Sequence, residues 1–468
     1  MMAEARSPQW YNAPVAAVVA MRKSNFWTPC LIVAFLAASR CTAQVPSPLE
    51  HKKFRTITTE QALDILANVK ADLKEHFYDP AMHGVDLDGR FEKARNEIAS
   101  ARSQDEALLD IAGAVAALQD SHTRFIPPAR PYGVDYGWLA QSVGDKCCYI
   151  TAVCNESDAA QKGLKVGDRL EAINGVTLTR QDFPYVEYSY AVFPQSGLHL
   201  QVRSPEGEER SITAMATVIP GQEVVRAIDV EEWLRHYSGP KDRSRYYSVE
   251  KRILIWKLPD FLIAPADVDG LLNKARSYET LILDLRGNPG GIRDAMAQFL
   301  GGLFDHDVKI GDEKGRKDSW PLLATFRGTK AFRGKLVVLI DSRSASAAEI
   351  LARVVQLEKR GTVLGDRSAG SVAEAQNYVH PVELDAKNVA QYHTEITTRE
   401  LVMADGMALE GVGVTPDETI LPTPAELASN KDPVLARAFQ ISGATISAED
   451  AGKILPFVWP KERVFEFH

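Results

Sequence analysis

The sequence predicts an α/β protein with a helical N-terminal segment, a mainly-β insert and an α/β core followed by a short tail. Three observations carry this. Apolar residues recur at helical spacing from Thr58 to Asp120; short apolar strands broken by glycine turns fill residues 133–220; and from about Arg252 buried-type strands alternate with amphipathic stretches. A chain of 468 residues agrees with roughly three domains of about 150 residues.

Residues 1–43 are expected to leave before folding. Arg22 and Lys23 form a basic start, Trp27 to Ala38 is mainly apolar, and Cys41-Thr42-Ala43 ends on a small residue before Gln44, the pattern of an export signal cut after Ala43. The apolar run is shorter than the ~20 residues a bilayer span needs, so membrane association is expected only if this segment is retained. Residues 1–20 lack a basic region, which makes Met21 an alternative start. The expected location is periplasmic or extracellular.

The whole chain carries 54 Lys+Arg against 62 Asp+Glu, a net charge of −8. Loss of residues 1–43 removes Arg6, Arg22, Lys23 and Arg40 but only Glu4 among the acids, so the remainder is more acidic still. A broad basic surface is therefore excluded, and nucleic acid with it. Cys30 and Cys41 leave with the signal. Cys147, Cys148 and Cys154 lie on what reads as one strand, Cys148 and Cys154 about 20 Å apart if extended, which predicts buried thiols rather than disulfides.

The helical segment, residues 44–130, contains three stripes. Ala62, Ile65, Leu66, Val69 and Leu73 follow a capping box at Thr58 and Gln61; Leu87, Phe91, Ala94 and Ile98 form the second; Leu108, Ile111, Ala112 and Val115 follow Ser103 and Glu106. The segment ends at Asp120-Ser121-His122-Thr123, ahead of Pro127-Pro128. Residues 133–220 contain strands at Tyr149–Val153 and Leu170–Ile173, with turns at Val166-Gly167-Asp168 and Asn174-Gly175. From Ser157-Asp158-Ala159-Ala160 to Ile173-Asn174-Gly175 this stretch resembles a protease-associated PDZ domain. That resemblance implies peptide binding by strand addition, although no glycine-framed carboxylate loop stands near Trp138-Leu139-Ala140; a role as lid or scaffold is the alternative. The core, residues 225–425, has strands at Ile253–Trp256, Leu281–Leu283 and Leu336–Ile340 and helical stretches near 265–277, 292–303 and 346–359. One more helix is expected near Pro433–Phe439 in the tail, residues 426–468.

Two strand-to-helix junctions carry candidate chemistry. Asp284-Leu285-Arg286-Gly287-Asn288-Pro289-Gly290-Gly291 lets backbone amides converge beside a helix N-terminus, which suits an oxyanion. It lacks the spacing and lysine of a nucleotide P-loop, and a structural turn is the alternative. Asp341-Ser342-Arg343-Ser344-Ala345-Ser346-Ala347-Ala348-Glu349-Ile350 presents serines where a nucleophile could attack a carbonyl, or where one of them simply caps the helix.

Together with Asp120–Thr123 upstream and Glu410-Gly411-Val412-Gly413-Val414-Thr415-Pro416-Asp417 downstream, these stretches resemble the C-terminal processing (tail-specific) serine peptidase superfamily. The resemblance implies a crotonase/ClpP-like ββα core with an N-terminal helical segment and an inserted PDZ domain. It places the nucleophile on Ser346. The lysine of the family's Ser/Lys branch would fall on Ser371 and an expected acidic residue on Leu357, so that mechanism does not fit. The tricorn-core-like Ser/His/Glu branch does. It implies that His122 is the base, that Glu410 acts through Ser121, and that Gly290 or Gly291 with Ala347 supplies oxyanion N–H groups worth on the order of 3 kcal/mol each. Each residue has a plainer alternative: a satisfied histidine at a helix end, a glutamate opening a turn with Glu395 and Glu400 as competitors, a serine ending a helix.

The expected function is exported endopeptidase action on unfolded or extended polypeptides, without cofactor or metal. The competing reading is a catalytically inactive ligand- or peptide-binding protein on the same fold. A third, an acyl-transfer enzyme on small thioesters, has no use for a strand-adding module.

Overall fold

The computed structural model describes residues 57–145, 147–224, 244–385 and 388–457. The expected export signal lies outside them.

Helix α1 (Thr59–His76) opens with the reciprocal cap the sequence predicts: Thr58 Oγ1 accepts from the Gln61 N–H at 3.2 Å and Gln61 Oε1 from the Thr58 N–H at 2.8 Å. Asp86 caps α2 (Leu87–Ala99) and Ser103 caps α3 (Gln104–Ala116). The three apolar stripes meet in one core. A short strand β1 (Arg124–Ile126) follows.

The insert is a sheet of β2 (Trp138–Val143), β3 (Cys147–Val153), β4 (Arg169–Ile173), β5 (Gly197–Arg203) and β6 (Glu209–Met215) in that spatial order, with helix α4 (Phe183–Val192) contributing Phe183, Val186 and Tyr190 to its core. Alternation along β2 turns Trp138, Ala140 and Ser142 inward. Asn174 and Gly175, both at positive φ, turn the chain from Ile173 to Val176 in a two-residue hairpin. Cys148 and Cys154 are buried thiols.

The core runs β7 (Arg245–Val249), β8 (Ile253–Lys257), α5 (Pro265–Ala275), β9 (Thr280–Asp284), α6 (Arg293–Gly301), β10 (Val308–Lys314), β11 (Ser319–Ala324), β12 (Lys335–Ile340), α7 (Ala347–Leu357), β13 (Thr362–Gly365), β14 (Ala373–Asp385), β15 (Asn388–Met403), β16 (Glu418–Thr419) and α8 (Pro433–Ile441). Its main sheet has the order β7-β8-β9-β12-β13-β16, parallel from β8 onward. The strands read as continuous apolar runs because both faces are covered. Leu254, Trp256, Leu283 and Val338 pack in the core that α5, α6 and α7 share, while Ile255, Ile282 and Leu339 meet Val434, Leu435 and Phe439 of α8.

A second sheet joins β1-β15-β10-β11, with β14 paired along β15. The long β14–β15 hairpin reaches back over the helices: Val382, Tyr392 and Ile396 complete their core, Asn68 Nδ2 donates to the Tyr392 hydroxyl at 3.0 Å, and His380 Nε2 lies 2.7 Å from Asp72. Helical segment and core are thus packed as one unit at this seam.

Candidate active site

Ser346 stands between β12 and α7 at φ 53° and ψ −118°. The Ala348 N–H donates to the Ala345 carbonyl at 3.0 Å, which makes this a type II′ turn with serine where glycine is usual. A side chain held there stores strain on the order of 1–3 kcal/mol, so its surroundings must compensate. The Ser346 N–H donates to the Ser371 carbonyl at 2.7 Å and to Glu349 Oε2 at 3.1 Å, and the Ala345 N–H donates to the Asn288 carbonyl at 2.9 Å. Gly290, at φ 100°, passes so close that a Cβ would lie 2.6 Å from Ser346 Cβ. The neighbouring serines are spent on structure: the Ser344 hydroxyl donates to the Leu285 carbonyl and that of Ser342 to the Ser142 carbonyl.

Ser121 and His122 are brought in by the turn between α3 and β1. Pairing of β1 with β15 sets Arg124 opposite Glu395, and the two form an ion pair at 2.5 Å. On the other side of the turn, the Thr397 hydroxyl donates to Asp120 Oδ1 at 2.5 Å and the Thr397 N–H to Thr123 Oγ1 at 3.0 Å. Glu410 Oε1 accepts the Ser121 N–H at 2.9 Å; its Oε2 accepts the Ser121 hydroxyl at 2.9 Å and the Val372 N–H at 2.7 Å. Ser121 Oγ also lies 2.9 Å from His122 Nδ1 and accepts from the Ser371 hydroxyl at 2.9 Å. A carboxylate only accepts, so the single Ser121 proton lies toward Glu410. Ser121 Oγ must then accept from His122, which places the imidazole proton on Nδ1 and leaves Nε2 with its lone pair.

Of the residues named from sequence, Ser121, His122 and Glu410 are bonded together, and Ser371 links them to Ser346. Glu395 is occupied by Arg124, which leaves Glu410 as the glutamate on Ser121. Gly290 is corrected: its N–H donates to Asn288 Oδ1 at 2.8 Å, drawn inward by that buried amide, and so does not point at a ligand. Gly291 and Ala347, the latter at the first helical position where the N–H has no intrahelical partner, remain.

Three residues escaped the sequence reading as parts of the site. Buried Asn288 also donates from Nδ2 to the Leu258 carbonyl at 3.0 Å, fastening the glycine turn. Glu349, fully buried, accepts from the N–H groups of Ser346, Gly370 and Ser371 and from the Ser368 hydroxyl. Burial pushes its carboxyl up to about 7 despite those four donors. Ser371 uses its N–H, carbonyl and hydroxyl within the site. Its only sequence signal was a position where a relative would carry lysine. Nearby, burial opposes ionisation of Asp284, but Arg286 and Lys257 hold its carboxyl well below the ordinary range, and Arg286 also grips Asp432 at the start of α8. Among the described residues no cluster of His, Cys, Asp or Glu could hold a metal ion.

A parallel sheet with a strained serine at a strand–helix turn, linked to a histidine and a glutamate, is an arrangement that nucleophilic acyl transfer can use. Residues 252–420 match the model of peptidase family S41. The chain is similar to the tail-specific protease of Haemophilus influenzae, 31% identical over 175 residues that make up 36% of this chain and 24% of that protein. It is also similar to the chloroplastic carboxyl-terminal-processing peptidase 3 of Arabidopsis thaliana, 22% identical over 328 residues, 68% of this chain and 62% of that one. In both cases the match spans less than two thirds of the relative. Among solved structures, mature CPAF complexed with lactacystin shares the fold, with a TM-score of 0.58 at 14% identity over 79% of this chain and 95% of that one.

Proposed function

We propose that the protein is an exported serine endopeptidase that hydrolyses peptide bonds of unfolded or extended polypeptides. Ser346 Oγ attacks the carbonyl carbon while His122 Nε2 takes its proton. The N–H groups of Gly291 and Ala347 hold the oxyanion. His122 then returns the proton to the departing amine, and water repeats the sequence on the acyl-enzyme. Glu410, through Ser121, keeps the imidazole in the tautomer that can accept. The observation supporting this most directly is the Glu410–Ser121–His122 chain of 2.9 Å bonds, closed on the nucleophile's own turn by Ser371. An inactive binding protein would have no need of that chain.

Export rests on the signal pattern of residues 1–43, and no helix among the described residues is long and apolar enough to cross a membrane. The 138–215 sheet is read as a PDZ domain from its motif run, its Asn174-Gly175 turn and its helix α4. Its strand β2 lies against the nucleophile loop, with Gln141 Nε2 donating to Asp341 Oδ2 at 2.7 Å, so a substrate strand there would run toward Ser346.

The test is a chain beginning at residue 44 incubated with casein and with a fluorophosphonate. Wild type cleaves and is labelled; Ser346→Ala does neither. Undiminished labelling of the variant would overturn the assignment.

A further inference from the structure

Ser121 Oγ has one proton and two lone pairs, and all three are used: Glu410 Oε2, His122 Nδ1 and Ser371 Oγ each lie 2.9 Å away. The first two belong to the relay already described. The third comes from a residue 250 positions away in sequence, on the loop leading into β14. Both backbone groups of Ser371 are bonded within the site. The Ser371 N–H donates to Glu349 Oε2 at 2.8 Å, and its carbonyl takes the Ser346 N–H at 2.7 Å. The Ser371 hydroxyl is also 3.4 Å from His122 Nδ1, too long for a strong bond but close enough to deny that nitrogen a different partner.

We propose that Ser371 is a positioning residue of the proton relay. Its hydroxyl, donated to Ser121 Oγ, holds Ser121 in the one orientation that both donates to Glu410 and accepts from His122. Without it, Ser121 keeps two partners and gains freedom about χ1, and its proton can swing to His122 Nδ1. In that state the imidazole carries its proton on Nε2 and cannot receive one from Ser346. The hydroxyl thereby ties the tautomer of the base to the backbone of the nucleophile turn, because the residue that gives the proton to Ser121 also receives the Ser346 N–H. The role touches no substrate, so it acts on turnover and not on binding.

This inference rests on the Ser346/His122 reading, and the experiment separates the two. Steady-state hydrolysis of an unfolded-protein substrate is measured for the 44–468 chain and for Ser371→Ala, Ser371→Thr, Ser121→Ala, Ser121→Ala with Ser371→Ala, and Ser346→Ala. Ser371→Ala is expected to lower kcat about tenfold with KM unchanged, the size of loss a misoriented base produces. Ser371→Thr, which keeps the hydroxyl, restores most of it. If the threonine methyl prevents folding, the double variant decides. Residues acting through one shared oxygen are non-additive, so its loss departs more than threefold from the product of the two single losses. An unchanged kcat in Ser371→Ala, a loss confined to KM, or a double variant within threefold of that product would overturn the proposal while leaving the peptidase reading intact. Activity surviving in Ser346→Ala would instead remove the reading, and the role of Ser371 with it.

Discussion

The Ser346 turn, carrying the proposed nucleophile, and the His122 turn are joined through Ser371 but are held in different ways. Ser346 is set by backbone: a strained turn between a buried strand and a helix, with its N–H donated to Ser371 and Glu349 and Gly290 pressed against it. Ser121 and His122 sit on a partly exposed turn whose positive φ falls on Gln119, not on them, and are set by groups from far along the chain, Glu410 and Thr397 above all. The first region has strain that its neighbours must offset. The second carries its positive φ on Gln119, two residues before Ser121, and holds its site side chains by long-range bonds. Substitution of Ser346 itself should therefore register in stability as well as in rate, whereas substitution of the His122 ring should register mainly in rate.

The largest expected effect is on the histidine side. His122→Ala removes the proposed base and should lower kcat/KM by about 10⁴ with the thermal midpoint little changed, read by casein hydrolysis and calorimetry. A loss below tenfold would place the base elsewhere. Glu410→Gln leaves an amide that cannot fix the Ser121 proton and should lower kcat about 10³-fold; equal loss on substituting Glu395 would blur the distinction between the two glutamates.

On the nucleophile side the leading effect is pH-dependent stability. The Glu349 carboxyl keeps its proton in the folded state up to about pH 7, whereas in the unfolded chain it ionises near the ordinary value. Its contribution is fully present below that ordinary value and is lost as pH rises through 7, a change of roughly 3 kcal/mol. Urea unfolding of wild type between pH 5 and 8 should show this slope, and Glu349→Gln should flatten it. On the histidine side, Thr397→Val, which takes the Thr397 hydroxyl from Asp120 Oδ1 but keeps the backbone N–H bonded to Thr123 Oγ1, should cost about 2 kcal/mol in urea and slow turnover by misplacing His122. The smallest effect sharpens the contrast most. Ser346→Gly should be about 1 kcal/mol more stable than Ser346→Ala, because only glycine adopts that φ without strain, although neither hydrolyses substrate. Equal stabilities would mean that the turn is not strained.

What could be read from the sequence follows the same division. The three helices were legible because capping boxes and apolar stripes are local, and the main strands because burial on both faces leaves unbroken apolar runs such as Leu336–Ile340. Ser346 and the glycine turn were legible as strand-to-helix junctions. The β14–β15 hairpin was not, since a sheet with one polar face, as in Ala373-Glu374-Ala375-Gln376-Asn377, gives no strong run, and its apolar residues pack against helices three hundred residues earlier. Glu349 read as an ordinary first-turn acid because nothing local signals that a distant loop will bury it. Gly290 read as a donor because its hydrogen bond to Asn288 depends on a side-chain rotamer.

Ser121 and Glu410 are 289 residues apart. At a synthesis rate of about 5–20 residues per second, roughly 15–60 s separate the emergence of one from the other. The helical segment can fold early, but it carries a histidine with no fixed tautomer until the last part of the core arrives. Under the proposed function this order would keep the nascent chain safe from its own active site, because the group made first is completed by nearly the last.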